Sequence, residues 1–281
     1  MDKKVWVSQK SIAKLNKWKL DINSGSYRSY LTIRDVNKVG RRHWMFCPHQ
    51  KRMVHLLSDG EQRAYTSLLW LSGRRDVREQ YALDIDDTMN IADEIGFIHP
   101  RNYKNGEAHV MTTDFVVRYR CAVLADVTAV AYTFKYWSQI YTVDAFGVRH
   151  RINARTWQKF DIERRYWAER GVEYRIITEQ DCTKESYWNL KFCEKSAYLN
   201  VEPDLFAAFV VTFYETWQLR CNLTFNEICE LTASRCNSSY EVAVSYFKYA
   251  VLYSHLKLAS GFCVRKFRRL DLLPPYSLRV A

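Results

Sequence analysis

The chain lacks the features of a membrane-spanning or secreted protein. Its longest apolar run, Leu205 to Phe213, is about half of the ~18 residues that a membrane-spanning helix needs. The first residues, MDKKVWVSQ, contain no apolar core of a secretory signal. Glycine and proline are scarce, at nine and five residues, and we find no low-complexity segment and no internal repeat. We therefore expect a cytoplasmic protein with no membrane partner.

The cysteines show no pattern of disulfide or metal chemistry. The eight of them include no C-x-x-C pair and no zinc-like pairing with the seven histidines. We expect reduced, mostly buried thiols. A zinc site on Cys221, Cys229 and Cys236 stays open as an alternative, although zinc ligands are usually spaced more tightly.

The charge balance is strongly basic. Lysine and arginine number 42 against 31 aspartates and glutamates, which gives a net charge of +11. Such a surface predicts a polyanionic partner, and DNA fits better than a membrane. The length of 281 residues suits two domains with a sizeable core.

Two predicted β-strands between Val110 and Lys135 carry one charge each among apolar residues. Side chains alternate between the two faces of a strand, so Asp114 shares a face with Thr112 and Val116. Lys135 ends the second strand, on the face of Thr133. Burying either charge unpaired is costly, so the two predict a common site. An Asp–Lys ion pair at the end of a sheet is the simpler alternative.

The order of these charges resembles that of metal-dependent nucleases of the restriction-endonuclease fold. Glu79 lies upstream of Asp114, and Lys135 follows on the next strand. Two carboxylates can hold Mg²⁺ with room for water, and the metal polarises a phosphoryl oxygen and activates bound water. A lysine beside that water offsets the charge that builds up on the phosphate.

A longer series of motifs resembles the TnsA-type endonuclease subunit of Tn-seven-like heteromeric transposons. The motifs are HLLSDGE (55–61), VREQY (77–81), IG (95–96), HP (99–100), MTTDF (111–115), Lys135 and IERRYW (162–167). The resemblance implies that Glu79 and Asp114 are metal ligands, that Lys135 is the catalytic lysine and that Glu163 is a further acid near the metal. Thr133 takes the place of the family's usual Gln and is expected to be a shorter, weaker ligand. Mg²⁺ is the implied cofactor, with Mn²⁺ as a substitute.

Capping and periodicity predict an α/β chain of two domains. Ser58 and Glu61 have the spacing of a capping box and open a helix that ends near Gly73. Asp87 is expected to cap a short helix over residues 88–95, and a helix containing residues 162–167 is expected to connect the strand pair to a further strand at residues 172–178. We predict a restriction-endonuclease-like mixed sheet core over residues 1–180 and a winged-helix-like α domain over 181–281, with capping boxes at Thr224 and Ser238.

Basic and aromatic residues near the predicted site suggest contacts with DNA. We expect phosphate contacts from a set of arginines, namely Arg74, Arg75, Arg78 and Arg101. A solvated basic run is the alternative for these, and also for the lysines and aromatic residues among residues 1–55. His99 could act as a general base, but a structural role in its turn is favoured.

The resemblance implies a role in cut-and-paste DNA transposition. It predicts Mg²⁺-dependent cutting of the non-transferred strand at the 5′ ends of transposon DNA, beside a DDE-type transposase that cuts and joins the 3′ ends. An AAA+ ATPase regulator is expected to contact the C-terminal domain, in the bacterial cytoplasm and at the nucleoid when active. Two alternatives remain: a catalytically impaired DNA-binding adaptor, which Thr133 favours, and a stand-alone restriction or repair nuclease.

Overall fold

A computed structural model describes residues 5–37, 40–70, 75–120 and 127–274, apart from the side chains of residues 75, 120 and 127. The chain divides into two compact units. The first comprises Met1–Leu69 and Arg74–Asp181, and the second Trp70–Gly73 and Cys182–Ala281. This division concerns the fold only, so the roles expected of the two domains remain predictions.

The first unit is built on a central mixed sheet. Its strands are β3 (Arg75–Ala82), β4 (Thr112–Arg120), β5 (Val127–Phe134) and β8 (Glu173–Ile177), in the spatial order β3-β4-β5-β8. The first three run antiparallel, and β8 runs parallel to β5. Two separate hairpins are β1 (His43–Cys47) with β2 (Arg52–Leu56), and β6 (Tyr141–Val143) with β7 (Arg149–Arg151). The predicted mixed sheet is therefore present.

Helices cover the sheet of the first unit. They are α1 (Gln9–Asn23), α2 (Asp59–Trp70, whose last residue falls in the second unit), α3 (Ile85–Glu94), the short α4 (Trp137–Ile140) and α5 (Ala154–Ala168). Ile162, Tyr166 and Trp167 of α5 are buried in one cluster with Val116 of β4 and Ala131 of β5. Because α5 connects β5 to the parallel strand β8, it forms the crossover that parallel pairing requires.

The regular alternation of β3 and β4 fails at one pair of residues. The register joins Glu79 to Phe115 and Tyr81 to Thr113, and it passes over Gln80 and Asp114 between them. Gln80 has a φ of 50°, which is the left-handed region that a non-glycine residue rarely adopts. Alternation along a strand therefore cannot be extended through this point, and each neighbouring side chain must be placed from its contacts.

Two helix caps differ from the predictions. Asp84, not Asp87, caps α3, because its carboxylate accepts hydrogen bonds from the N–H groups of residues 86 and 87. The last helix is capped by Ser239 instead of Ser238, whose own N–H closes the end of the preceding helix on the carbonyl of Ala233. The predicted capping box at Thr224 and Glu227 is present.

The second unit is helical. Its helices are α6 (Lys184–Cys193), a 3₁₀ turn (Glu194–Ser196), α7 (Pro203–Leu219), α8 (Phe225–Arg235) and α9 (Tyr240–Leu252). Phe209, Phe213, Phe225 and Phe247 are buried within it. The described residues after α9 form two isolated bridges, one between Arg269 and Thr224 and one between Leu258 and Leu272. The winged-helix prediction thus stays a prediction.

In the described part of the chain, no helix combines the length and the apolarity needed to span a membrane.

Candidate active site

Asp114 and Lys135 lie together, as the strand pattern predicts. The carboxylate of Asp114 accepts a hydrogen bond from the N–H of Phe134 at 2.8 Å, across the β4–β5 pair. Lys135 follows β5 directly, and its backbone N–H donates to the carbonyl of Ile177 at 3.0 Å. The charge of the lysine lowers the pKa of Asp114 against the larger effect of burial, which raises it. The pair occupies the end of β5.

Glu61 brings a second carboxylate to this place from the first turn of α2. It is 9% exposed, and its side chain accepts hydrogen bonds from the N–H of Leu57 at 2.9 Å and from Ser58 Oγ at 3.3 Å. The backbone N–H of Glu61 donates in return to Ser58 Oγ at 3.1 Å. The predicted capping pair is thus present, and it fixes an acid beside Asp114.

Gln80 connects these two acids. Its amide Nε2 donates to Glu61 Oε2 at 3.1 Å, and its side chain also hydrogen-bonds Asp114. Thr112 Oγ1 contacts the amide oxygen at 3.4 Å. Gln80 is 1% exposed, and its left-handed backbone coincides with the break in strand alternation. A neutral amide thus fills the position between two carboxylates.

Glu163 supplies the third acid from α5. It is 5% exposed, and Oε2 accepts hydrogen bonds from Thr133 Oγ1 at 2.8 Å and Thr113 Oγ1 at 3.0 Å. Trp167 Nε1 donates to Thr113 Oγ1 at 2.8 Å, which leaves the threonine proton for the carboxylate. Thr133, predicted as a metal ligand, therefore orients Glu163 with its hydroxyl.

Burial and mutual repulsion shape the electrostatics of the three acids. Burial, followed by the charge of Asp114, raises the pKa of Glu61 to about 8. The same two causes in the same order raise the pKa of Glu163 to about 8. Lys135 opposes both shifts but is outweighed. Ionising all three acids would place three negative charges near the single lysine Lys135, and a cation would relieve the repulsion between them.

Glu79 does not join the cluster, which corrects its expected place. Its fully buried carboxylate accepts two hydrogen bonds from Arg52, at 2.8 and 2.6 Å, and further ones from Ser29 Oγ and the N–H of His55. Glu79 is paired with Phe115, the neighbour of Asp114. These contacts hold the carboxylate of Glu79 against Arg52 and His55 of β2. The acid brought to Asp114 is Glu61.

Of the four arginines expected to contact DNA, the structure describes the side chains of two, Arg78 and Arg101. Arg78 donates to Asp76 at 2.8 Å and stacks over the ring of Tyr27, so a phosphate would have to compete for it. Arg101 is half-buried, and its backbone pairs with Ala108 in an isolated bridge. Arg74 and the side chain of Arg75 lie outside the described residues.

His99 has the structural role that was favoured for it. The ring is 3% exposed, with Nδ1 at 3.1 Å from the carbonyl of Pro100 and Nε2 at 3.1 Å from Thr88 Oγ1. Burial is the main cause that lowers its pKa to about 4. Both ring nitrogens are thus occupied away from the acids, which leaves no contact for a general base.

The donor set of the cluster fits a hard cation such as Mg²⁺. Among the described residues, no three His, Cys, Asp or Glu side chains converge closely enough to hold an ion by themselves. Mg²⁺ commonly binds through one or two carboxylates and several waters, so Asp114 with Glu61 or Glu163 suffices. A cleft of about 330 Å³ lined by Arg41, Glu61, Lys135 and Gln139 gives access for a ligand.

Carboxylates that converge on a lysine beside an open cleft are typical of metal-dependent enzymes that act on phosphodiesters. Comparisons with known proteins are more specific. Residues 75–179 match the family model described as "TnsA-like endonuclease N terminal". Over 181 residues the chain is 29% identical to the transposon Tn7 transposition protein TnsA of Escherichia coli.

The match to that relative is partial. It covers 64% of this chain and 60% of the length of the Escherichia coli protein. The two findings confirm the resemblance predicted from the sequence motifs and support a TnsA-type protein. Glu61 lies before the segment that the family model matches, so its place in the cluster comes from the structure.

Proposed function

We propose that this chain is the metal-dependent DNA endonuclease subunit of a transposase and that it cuts the non-transferred strand at the 5′ ends of the transposon. The observation that carries the proposal is that Asp114 lies beside Lys135, shares the hydrogen-bonding Gln80 with Glu61, and lies within electrostatic range of Glu163. A four-stranded mixed sheet with a crossover helix behind it is compatible with a restriction-endonuclease-like core. The match to a TnsA-type protein gives the proposal its biological setting.

Each residue of the cluster has a distinct task in this reaction. Asp114 and Glu61 would hold the cation, and Gln80 keeps their oxygens apart and oriented. A Mg²⁺ ion held there would supply Lewis-acid polarisation of the phosphoryl oxygen and would lower the pKa of water at the site. Lys135 stands where it can offset negative charge on the phosphate. Glu163, oriented by Thr133 and Thr113, would accept a proton or assist a second cation.

Selectivity in this proposal comes from partners. Transposon-end DNA would be presented by a DDE-type transposase, and an AAA+ ATPase would engage the helical second unit. A basic chain whose DNA contacts are mainly to phosphates binds many sequences with similar affinity. The isolated chain should therefore cut little until the transposase positions the ends.

The decisive experiment maps cuts on each strand of a transposon-end duplex, with the cognate transposase and ATPase present. We expect 5′-strand cuts that need Mg²⁺ or Mn²⁺ and that disappear in Glu61→Gln and in Glu163→Gln. Glu169→Gln makes the same chemical change near the end of α5, at an exposed residue, and should cut normally. End binding without cutting would support the adaptor alternative, and efficient cutting by the isolated chain would support the stand-alone nuclease.

A further inference from the structure

The β6–β7 hairpin holds an aromatic residue out in water. Phe146 at its tip is 91% exposed, and Val143 and Val148 on either side are 49% and 52% exposed. Single exposed apolar residues are common, but a rigid protrusion with three of them around one tip marks a contact surface. Neither the candidate active site nor the fold of the first unit uses these side chains.

The tip is held rigidly by Asp144. Its Oδ1 accepts hydrogen bonds from the N–H groups of Phe146 and Val148, both at 2.9 Å. Its Oδ2 lies 2.8 Å from Nε2 of His150, and Gly147 adopts the left-handed φ of 81° that the turn needs. The chain thus restricts the motion of Phe146, which lowers the entropy cost of any contact that it makes.

The root of the hairpin is fixed next to the cleft. Gln139, which lines the cleft together with Lys135, lies two residues before Tyr141, the first residue of β6. The N–H of Ile152 closes the root on the carbonyl of Ile140 at 3.0 Å, and Ile140 is buried with Trp157 and Phe160. At about 3.3 Å per residue, the tip lies roughly 15 Å from the root. That reach exceeds the depth of a DNA groove, roughly 8 Å.

Cations line the second strand of the hairpin. Arg149 lies over the ring of Tyr141 at 4.4 Å, and Arg151 over Trp157 at 4.1 Å. Each guanidinium group is stacked on a ring face, so a phosphate can still approach the N–H groups along its edge. Lys159 lies within electrostatic range of Lys135 and Arg155, and their positive charges lower its pKa after the larger effect of burial. The positive charge thus extends from the cleft to the hairpin.

We propose that residues 141–151 form a DNA wedge, in which the hairpin enters a groove of duplex DNA beside the cleft and Phe146 stacks into a base step. A ribbon of two strands fits the major groove, and apolar wedges between base steps unstack and kink a duplex. Arg149 and Arg151 contact the flanking phosphates. The inference rests on the proposed function only in taking duplex DNA as the partner. A distorted duplex would present its strand to the cleft.

The test measures DNA binding and distortion in EDTA, so that no strand is cut. Full-length protein is titrated onto a short duplex, and permanganate reactivity reports thymines that have become unstacked. We expect the parent protein to raise this reactivity, and Phe146→Ala to abolish the increase and weaken binding about tenfold. Phe46→Ala removes a second exposed phenylalanine from the β1–β2 hairpin and serves as the matched control, with both readouts unchanged.

The arginines give an independent readout. Arg149→Ala and Arg151→Ala should each reduce the slope of log affinity against log salt by about one, while Arg149→Lys and Arg151→Lys keep it. The wedge is overturned if the parent leaves thymines stacked, if Phe46→Ala acts like Phe146→Ala, or if Phe146→Ala changes only recruitment of the transposase. A protein that distorts DNA in EDTA but never cuts in Mg²⁺ would contradict the proposed function and leave the wedge in place.

Discussion

Two acidic regions lie buried within the first unit, and they are neutralised in opposite ways. Glu79 is enclosed by a guanidinium group, a hydroxyl and a backbone N–H, with Arg52 at 2.6 Å. Glu61, Asp114 and Glu163 receive hydrogen bonds from neutral donors, and among the described residues none of them forms a salt bridge. Both regions bury carboxylates, but in the second region three acids share one nearby positive charge, that of Lys135.

This difference in neutralisation suggests a structural role for the Glu79 region and a functional role for the three-acid cluster. The Arg52–Glu79 pair connects β2 to β3. Because losing either partner would leave the other charge buried and unpaired, this pair has little freedom to bind a ligand. Acids that repel each other cost stability, and proteins tolerate such costs mainly where activity needs them. The second region is therefore where we propose that a cation and a phosphate bind.

The largest expected effect breaks the unpaired region. Asp114→Asn should reduce 5′-strand cutting by at least about 10²-fold, because it removes the proposed cation ligand. The free energy of unfolding should stay the same or rise, since Asn keeps an acceptor for the N–H of Phe134 and ends the repulsion with Glu61 and Glu163. Cleavage rates and urea denaturation check the two halves. Normal cutting by this variant would refute the site.

The next effect breaks the paired region. Arg52→Ala leaves Glu79 buried without its partner and should lower the free energy of unfolding by about 3–5 kcal/mol in urea titrations. Arg118→Ala removes an exposed ion pair with Asp76 at 3.7 Å and, as the control, should cost at most about 1 kcal/mol. Equal costs for the two variants would mean that the buried pair is not what stabilises β2 on β3.

The raised pKa values of Glu61 and Glu163 predict a dependence of stability on pH that originates in the three-acid cluster. Glu61 and Glu163 have pKa values of about 8 when folded against 4.5 as the reference, so between these pH values the folded protein retains protons that the unfolded chain releases. The free energy of unfolding therefore falls as pH rises, by up to about 1.4 kcal/mol per pH unit and group.

His99 has the opposite dependence, because its pKa falls from 6.5 to about 4 on folding and the stability it contributes is lost as pH falls through that range. The effect of the two acids on the free energy of unfolding should therefore be measured between pH 6.5 and 8, where His99 contributes little. Glu163→Gln or saturating Mg²⁺ should flatten the decline there. A decline of the same slope in Glu163→Gln would assign it to other groups.

The smallest expected effect comes from the Thr133 hydroxyl, which donates a hydrogen bond to Glu163. Thr133→Val keeps the shape of the side chain but removes the 2.8 Å hydrogen bond, which leaves Thr113 as the remaining threonine donor. The ionised form of Glu163 loses support, so the Mg²⁺ concentration for half-maximal cutting should rise several-fold with little loss at saturation. A Thr133→Val protein that cuts normally at low Mg²⁺ would indicate that Glu163 needs no orientation.

Sequence patterns predicted much of the framework around the site. Alternation over residues 112–117 and 127–135 predicted β4 and β5 and placed Asp114 near Lys135. Helical spacing of Ile162, Tyr166 and Trp167 predicted α5, and the capping spacing of Ser58 and Glu61 predicted the start of α2. These features depend on near neighbours along the chain, so local periodicity and hydrogen bonding suffice to predict them.

The membership of the acidic cluster could not be predicted in the same way. Alternation breaks where Gln80 takes a left-handed φ, and a pattern of period two cannot reveal that a buried glutamine connects two acids. Glu79 precedes this break and meets Arg52, which lies 27 residues earlier in the chain. Whether a buried acid is paired depends on which distant residue folds against it.

The sequence by itself determined the basic charge, the strand pair with Asp114 and Lys135 and the helices that cover it, because each follows from composition or from short-range spacing. Only the tertiary structure decided that Glu61 joins the cluster and that Glu79 is neutralised outside it. The N-terminus of α2 and the β1–β2 hairpin both pack near β3. The position of α2 brings Glu61 to the cleft, and the position of the hairpin brings Arg52 to Glu79.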